Sequence, residues 1–212
     1  MKSLALKISM AVLSMIPLVA KAELIVLASP QSNDAYYAKM IDDIFDFHVD
    51  YAKKIIKNGD NVVVLTDKGL YPDYVKALGT KHVAIAPMHD IWMRDFTSAN
   101  PAQPVMFRYT AAGQGGAKKG QAISDEVQDE FKYYSQKAGL QFTLSKLLND
   151  GGNWVEDGYG NVVLSTKFLA DNKLTESEAR KKLMALTGAK QIAFIEADEQ
   201  GGLEHADGVV SF

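Results

Sequence analysis

The sequence has 212 residues, with 23 Lys and Arg against 26 Asp and Glu, a net charge of −3, and no cysteine. A mildly acidic chain of this length is enough for one good-sized domain. It carries no basic stripe, so nucleic acid and anionic membrane surfaces are poor partners for it. The lack of cysteine excludes disulfides and any thiolate nucleophile within these residues.

The first 22 residues stand apart. MKSLALK is positively charged, ISMAVLSMIPLVA is apolar but too short to span a bilayer, and Ala20-Lys21-Ala22 has the small-x-small form of a cleavage site. This reads as a secretory signal peptide, with a mature, secreted or periplasmic chain beginning near Glu23. Cleavage would remove three lysines and no acid, leaving 20 basic against 26 acidic residues and a net charge of −6. Nothing after residue 22 is long and apolar enough to cross a membrane.

In chain order, "ELIVLA" (23–28) reads as a buried strand. Residues 34–57 carry helical spacing through Tyr37, Met40, Ile41, Ile44, Phe45, Val49 and Ala52, and Asn58-Gly59 ends that helix. "NVVVLT" (61–66) is a strand, "YPDYVKALG" a short helix closed by Gly79, and "HVAIAP" (82–87) a third strand. Further strands are predicted over 104–109, 141–144, 161–166 and 191–196. Helices fit over about 122–138 and, after the capping box Thr175-Glu176-Ser177-Glu178, over about 176–187. "TAAGQGGAKKGQ" (110–121) lacks both phosphate-binding glycine patterns and reads as a mobile surface loop over the active site. The alternation is that of an α/β protein.

Three polar clusters interrupt the apolar runs: "HDIWMRD", "NDGGNWVEDGYGN" and "LEHADG". Asp95 to Asp150 is 55 residues, and Asp150 to His205 is 55 again. Equal spacing favours repeated supersecondary units, each delivering one loop to a common centre, over an open doubly wound sheet.

In the first cluster, extended backbone would put Asp90, Trp92 and Arg94 on one face and Asp95 on the other. Arg94 can fork onto a carboxylate, and Trp92 offers a face to a cation. An exposed salt bridge beside a partly buried Trp is the plainer alternative. In the second, Gly151 and Gly152 permit unusual backbone or close approach, while Asp150 and Asn153 could aim an acceptor and an amide at a ligand. "EDGYGN" reads as a hairpin turn joining NWV to NVVLS. In the third, His205 and Asp207 would point the same way on a strand, an imidazole beside a carboxylate being poised for acid–base work. A metal pair and a structural histidine are the alternatives, although His48, His82 and His89 have no metal-ligand spacing. Several carboxylates, one imidazole, an asparagine and a tryptophan, with no nucleophile, suit a guanidinium group, which is planar, charged and forked.

The ordered motifs "DIWMRDF", "DGGNWVEDGYGN" and "HADG" resemble the agmatine deiminase and bacterial-type peptidylarginine deiminase family, part of the guanidine-modifying superfamily. The resemblance runs from about residue 23 to the end. It implies the pentein fold, a pseudo-symmetric five-bladed α/β propeller, and a cofactor-free, metal-free hydrolysis. In such enzymes a cysteine thiolate attacks the guanidinium carbon, ammonia leaves, and water cleaves the thiouronium adduct to a ureido product. Carried onto this chain, Asp95 and Asp207 would bind the guanidinium nitrogens, and His205 would protonate the leaving ammonia and then activate water. Trp92, Asp90, Asp150 and Asn153 would line the substrate pocket, with Arg94, Gly151 and Gly152 shaping it.

The departure from the pattern is the nucleophile. The family's cysteine lies near the C-terminus, and this chain has none; Ser211 is no substitute without a dedicated base. The 55-residue spacing leads us to expect about three of five units here, in a chain incomplete for catalysis, with open sheet edges available for self-association. The expected partner is a small guanidine or an arginine-containing peptide. Two other readings remain open: an inactive guanidine-binding or structural module, and a metal-dependent hydrolase using His205 and the acids.

Overall fold

The computed structural model describes residues 23–97, 104–110, 112, 116–196 and 204–212. The expected signal peptide over 1–22 lies outside the described residues.

The N-terminal sheet contains β1 (Leu24–Ala28), β2 (Asn61–Thr66) and β3 (Val83–Ile85), all parallel in that order. Helix α1 (Ile41–Asn58) and helix α2 (Tyr71–Leu78) make the crossovers that parallel pairing requires. Alternation along β2 buries Val62 and Val64, and α1 covers that sheet with Ala52 and Ile55. Gly59, at φ 95°, ends α1 in the left-handed cap that Asn58-Gly59 predicts. The helix starts later than its apolar spacing implies. Asp34 Oδ1 accepts from the amides of Tyr36 (2.8 Å) and Tyr37 (3.3 Å), so this stretch is held as turns up to Met40. The strand expected over 82–87 is also shorter, because His82 sits in a 3-10 turn with Nδ1 3.0 Å from Val62 O.

Helix α3 (Met93–Phe96) is a single turn. Strand β4 (Val105–Arg108) pairs in parallel with β5 (Thr143–Leu148), joined by α4 (Ala117–Lys137). The expected loop over 110–121 is thus cut back by helix, because 117–121 already belong to α4. The predicted strand at 141–144 runs instead to Leu148, following its register against β4.

The third sheet is built from β6 (Val155–Glu156), β7 (Asn161–Ser165) and β8 (Gln191–Ile195). Strands β6 and β7 form the predicted antiparallel hairpin, and β8 runs parallel to β7. Helix α5 (Lys167–Asn172), which the sequence pattern did not reveal, precedes α6 (Glu176–Thr187). The capping box at the start of α6 is present, with Glu178 N donating to Thr175 Oγ1 at 3.3 Å and Thr175 N to Glu178 Oε2 at 2.9 Å.

The result is α/β, in three separate sheets among the described residues, none closed on itself. Strand β4 ties the parts together. Val105 and Phe107 enter one core with Trp154, Leu164, Phe168 and Leu183. Met106 and Tyr109 enter another with Phe96, Val127 and Phe131. The polar clusters follow the C-terminal ends of parallel strands, the usual place for a site in such sheets.

Candidate active site

Asp95 comes from α3, and this turn corrects the extended backbone expected for the first cluster. Phe96 is fully buried in the core shared with β4, and Asp95 N donates to Trp92 O at 2.9 Å, so the turn is anchored on both sides. Asp95 Oδ1 accepts from Gly152 N at 2.9 Å and lies 3.8 Å from His205 Nδ1.

The glycine pair is required by proximity. A Cβ on Gly151 would stand 1.7 Å from Arg94 O. One on Gly152 would stand 2.6 Å from His205 Nδ1, 2.9 Å from Asp95 Oδ1 and 3.1 Å from Asp207 Oδ2. Three side chains from two of the polar clusters therefore meet over the backbone of the remaining one.

His205 is bound chiefly by Asp150. Its Nε2 lies 3.0 Å from Asp150 Oδ2, while Thr110 donates to Asp150 from its amide (2.8 Å, to Oδ1) and its hydroxyl (2.8 Å, to Oδ2). Asp150 is only 2% exposed, so this is a buried carboxylate with multiple donors, facing the imidazole. Asn153 is equally committed. Its Oδ1 accepts from Ser165 N (2.7 Å) and Ala206 N (3.3 Å), and its Nδ2 donates to Asn149 Oδ1 (3.0 Å). It clamps the end of β7 to the segment carrying His205.

Asp207 does not share a strand face with His205, because Ala206–Gly208 form a 3-10 turn. Its Oδ2 accepts from Arg94 Nε at 3.1 Å, and Arg94 also donates to Trp154 O at 3.1 Å. Arg94 thus links α3 to the Asp207 turn and to the backbone of Trp154, through one Nε bond to the carboxylate in a largely exposed ion pair. Asp90 is buried and accepts from Ile91 N (2.7 Å) and the Tyr37 hydroxyl (3.2 Å). Trp92 is 60% exposed at the start of α3.

The charges are strongly coupled. Burial, reinforced by the charges of Asp150 and Asp207, pushes the Asp95 carboxyl up to about 6, against the opposing pull of His205 and the Gly152 amide. For His205, burial works to lower the pKa, but the Asp150 hydrogen bond and the charges of Asp95, Asp150 and Asp207 win and raise it. Both groups thus hold their protons more tightly than they would in water, and they face one another as a donor and acceptor pair for a proton. Among the described residues, no group of three His, Asp or Glu side chains is arranged to hold a metal ion.

Sequence reasoning missed Thr110, which makes two of the bonds holding Asp150. It also missed Tyr37 under Asp90, and Lys167 and Asp171, whose 2.8 Å ion pair lines the crevice behind Asp150 and His205. The position of Thr110 just past the end of β4, where the other clusters also sit relative to their strands, was the available signal.

Residues 14–212 match the family model described as Porphyromonas-type peptidyl-arginine deiminase. A search of curated proteins found no match. Among solved structures, C. jejuni agmatine deiminase is similar with a TM-score of 0.63 at 19% identity, over 84% of this chain and 54% of that one. Agmatine deiminase of Enterococcus faecalis gives 0.64 at 16% identity, over 90% and 55%. At these identities the likeness is one of fold, and the chain spans about half the length of these two enzymes. With its motifs in order and nearly its whole length matched, the chain belongs to the Porphyromonas-type peptidyl-arginine deiminase family.

Proposed function

We propose that this chain carries the guanidinium-recognition and proton-transfer groups of a deiminase that hydrolyses an arginine-like guanidine to a ureido product and ammonia. The observation that carries the reading is the convergence over Gly152, where Asp95, Asp207 and His205 come within 2.6–3.1 Å of one point. Two carboxylates would bind the planar cation, and Trp92 would flank it. His205, oriented by Asp150, would protonate the departing nitrogen and then take a proton from water. Asp150 acts on the imidazole in this scheme, since its own bonds run to Thr110 and His205.

The attacking group is a thiolate in this chemistry, and these 212 residues contain no cysteine. We therefore propose that the chain binds guanidines without turning them over unless a thiol is supplied from outside these residues. An inactive guanidine-binding module is the second reading, favoured by the same absence. The arrangement we propose is three units of a five-unit pentein ring. Its support is the separate sheets, the equal spacing of Asp95, Asp150 and His205, and the 54–55% of the two enzymes' lengths that is matched.

Calorimetric titration with arginine, agmatine and a peptide ending in arginine tests the reading, with lysine as the cation lacking the fork. Guanidines should bind and lysine should not, Asp207→Asn should weaken guanidine binding by roughly tenfold or more, and no ammonia should be released. Equal binding of lysine and arginine would overturn it. We also propose export, on the strength of the charged and apolar residues before Glu23. Sequencing the N-terminus of the protein recovered from outside the cytoplasm should read from Glu23.

A further inference from the structure

The Tyr37 hydroxyl donates to Asp90 Oδ1 at 3.2 Å, and Ile91 N donates to the same oxygen at 2.7 Å. Tyr37 is 8% exposed and Asp90 6%, so this is a buried, charge-assisted contact between positions 53 apart in sequence. Tyr37 sits in the turn after β1, which Asp34 holds in place. Asp90 sits in the segment after β3, which continues directly into Trp92, Arg94 and Asp95. Trp92 is 60% exposed. Burial raises the Tyr37 phenol above its ordinary range, and the Asp90 charge and hydrogen bond raise it further. The phenol therefore ties the turn after β1 to the buried carboxylate that opens the segment leading to Trp92 and Asp95.

We propose that Tyr37 is a positioning residue: through Asp90 it clamps the segment 90–95, so that the indole and the Asp95 carboxylate are presented as one rigid unit. The clamp stands on its own contacts. Its effect on ligand binding rests on the guanidine reading above. Neither the family motifs nor the spacing of the polar clusters marks this tyrosine, which the sequence pattern gave to the apolar face of a helix. Tyr36, edge-on to the Tyr37 ring at 4.9 Å and largely exposed, extends the aromatic surface outward from the same turn.

The two tryptophans allow a direct test, because Trp154 is 1% exposed and Trp92 is the accessible one. In Tyr37→Phe, iodide quenching of Trp92 should rise and its fluorescence anisotropy fall, with Trp92→Phe as the control that assigns the signal. Arginine and agmatine should bind roughly tenfold more weakly, the loss of one hydrogen bond to a charged group. Asp90→Asn keeps an acceptor for the phenol and should lie between wild type and Tyr37→Phe in both measurements. Tyr37→Phe matching wild type in quenching, anisotropy and affinity would overturn the proposal. So would a change in Asp90→Asn larger than in Tyr37→Phe; should Tyr37→Phe fail to fold, Asp90→Asn matching wild type in quenching, anisotropy and affinity would overturn the proposal. If the wild-type chain binds no guanidine, the functional reading fails, and the quenching comparison still decides the clamp.

Discussion

Asp95 is the residue whose titration reaches furthest into stability. Its folded pKa is raised from 3.8 to about 6. The stability it contributes is therefore full below pH 3.8 and is lost as pH rises through about 6. Asp95→Asn removes that ionisation and keeps an acceptor for Gly152 N. Urea unfolding should find this variant more stable than wild type at pH 7.5, by about 1–3 kcal/mol, with the gap closing toward pH 4. His205 has the same sign, its raised value giving stability that persists below the ordinary imidazole range and fades as pH rises through the folded value. Asp150→Asn should lower the His205 pKa, read directly by NMR titration of the imidazole. Gly151→Ala forces a Cβ onto a backbone oxygen and should cost about 2–4 kcal/mol. Identities of the converging side chains were legible in the sequence. Their pairings were not: strand geometry assigned Asp207 to His205, whereas two short helical turns give His205 to Asp150 and Asp207 to Arg94.

Elements with strong periodic or capping signals were legible at their observed positions. β2 and α6 follow the sequence directly, since the first alternates buried valines and the second begins at a capping box. Thr175→Ala should lower stability by about 1 kcal/mol in urea unfolding and leave guanidine binding unchanged, because the Thr175 side chain bonds only Glu178 at the exposed start of α6. Helices α3 and α5 were illegible for a physical reason. With four and six residues they are too short for a period of 3.6 to register. Their formation is tertiary, driven by burial of Phe96 and Phe168, and by Asn172, which brackets Leu148 through both its N–H (2.8 Å) and its C=O (2.9 Å). That last contact also steadies the strand end leading to Asp150.

At the scale of the molecule, β4 is the common wall of two cores, with Phe107 on one side and Met106 on the other. Loss of either core exposes the other face of the same strand. Phe107→Ala should cost about 3–5 kcal/mol, and its urea transition should remain a single step, with tryptophan fluorescence and far-UV dichroism moving together. The α/β class and the repeated delivery of polar residues from strand ends were visible in the spacing. The separation into three sheets was not, because strand order depends on pairings between distant segments.

Arg94 already rests its own planar cation against Asp207. Guanidinium chloride, a common laboratory denaturant, delivers that same ion free in solution. For this protein the salt would therefore act in two opposed capacities: at low concentration as an occupant that tightens the fold, at high concentration as the agent that dissolves it. A melting curve that first climbs and then drops as the salt is added, with sodium chloride at matched ionic strength producing no climb, would be the thermal fingerprint of that competition.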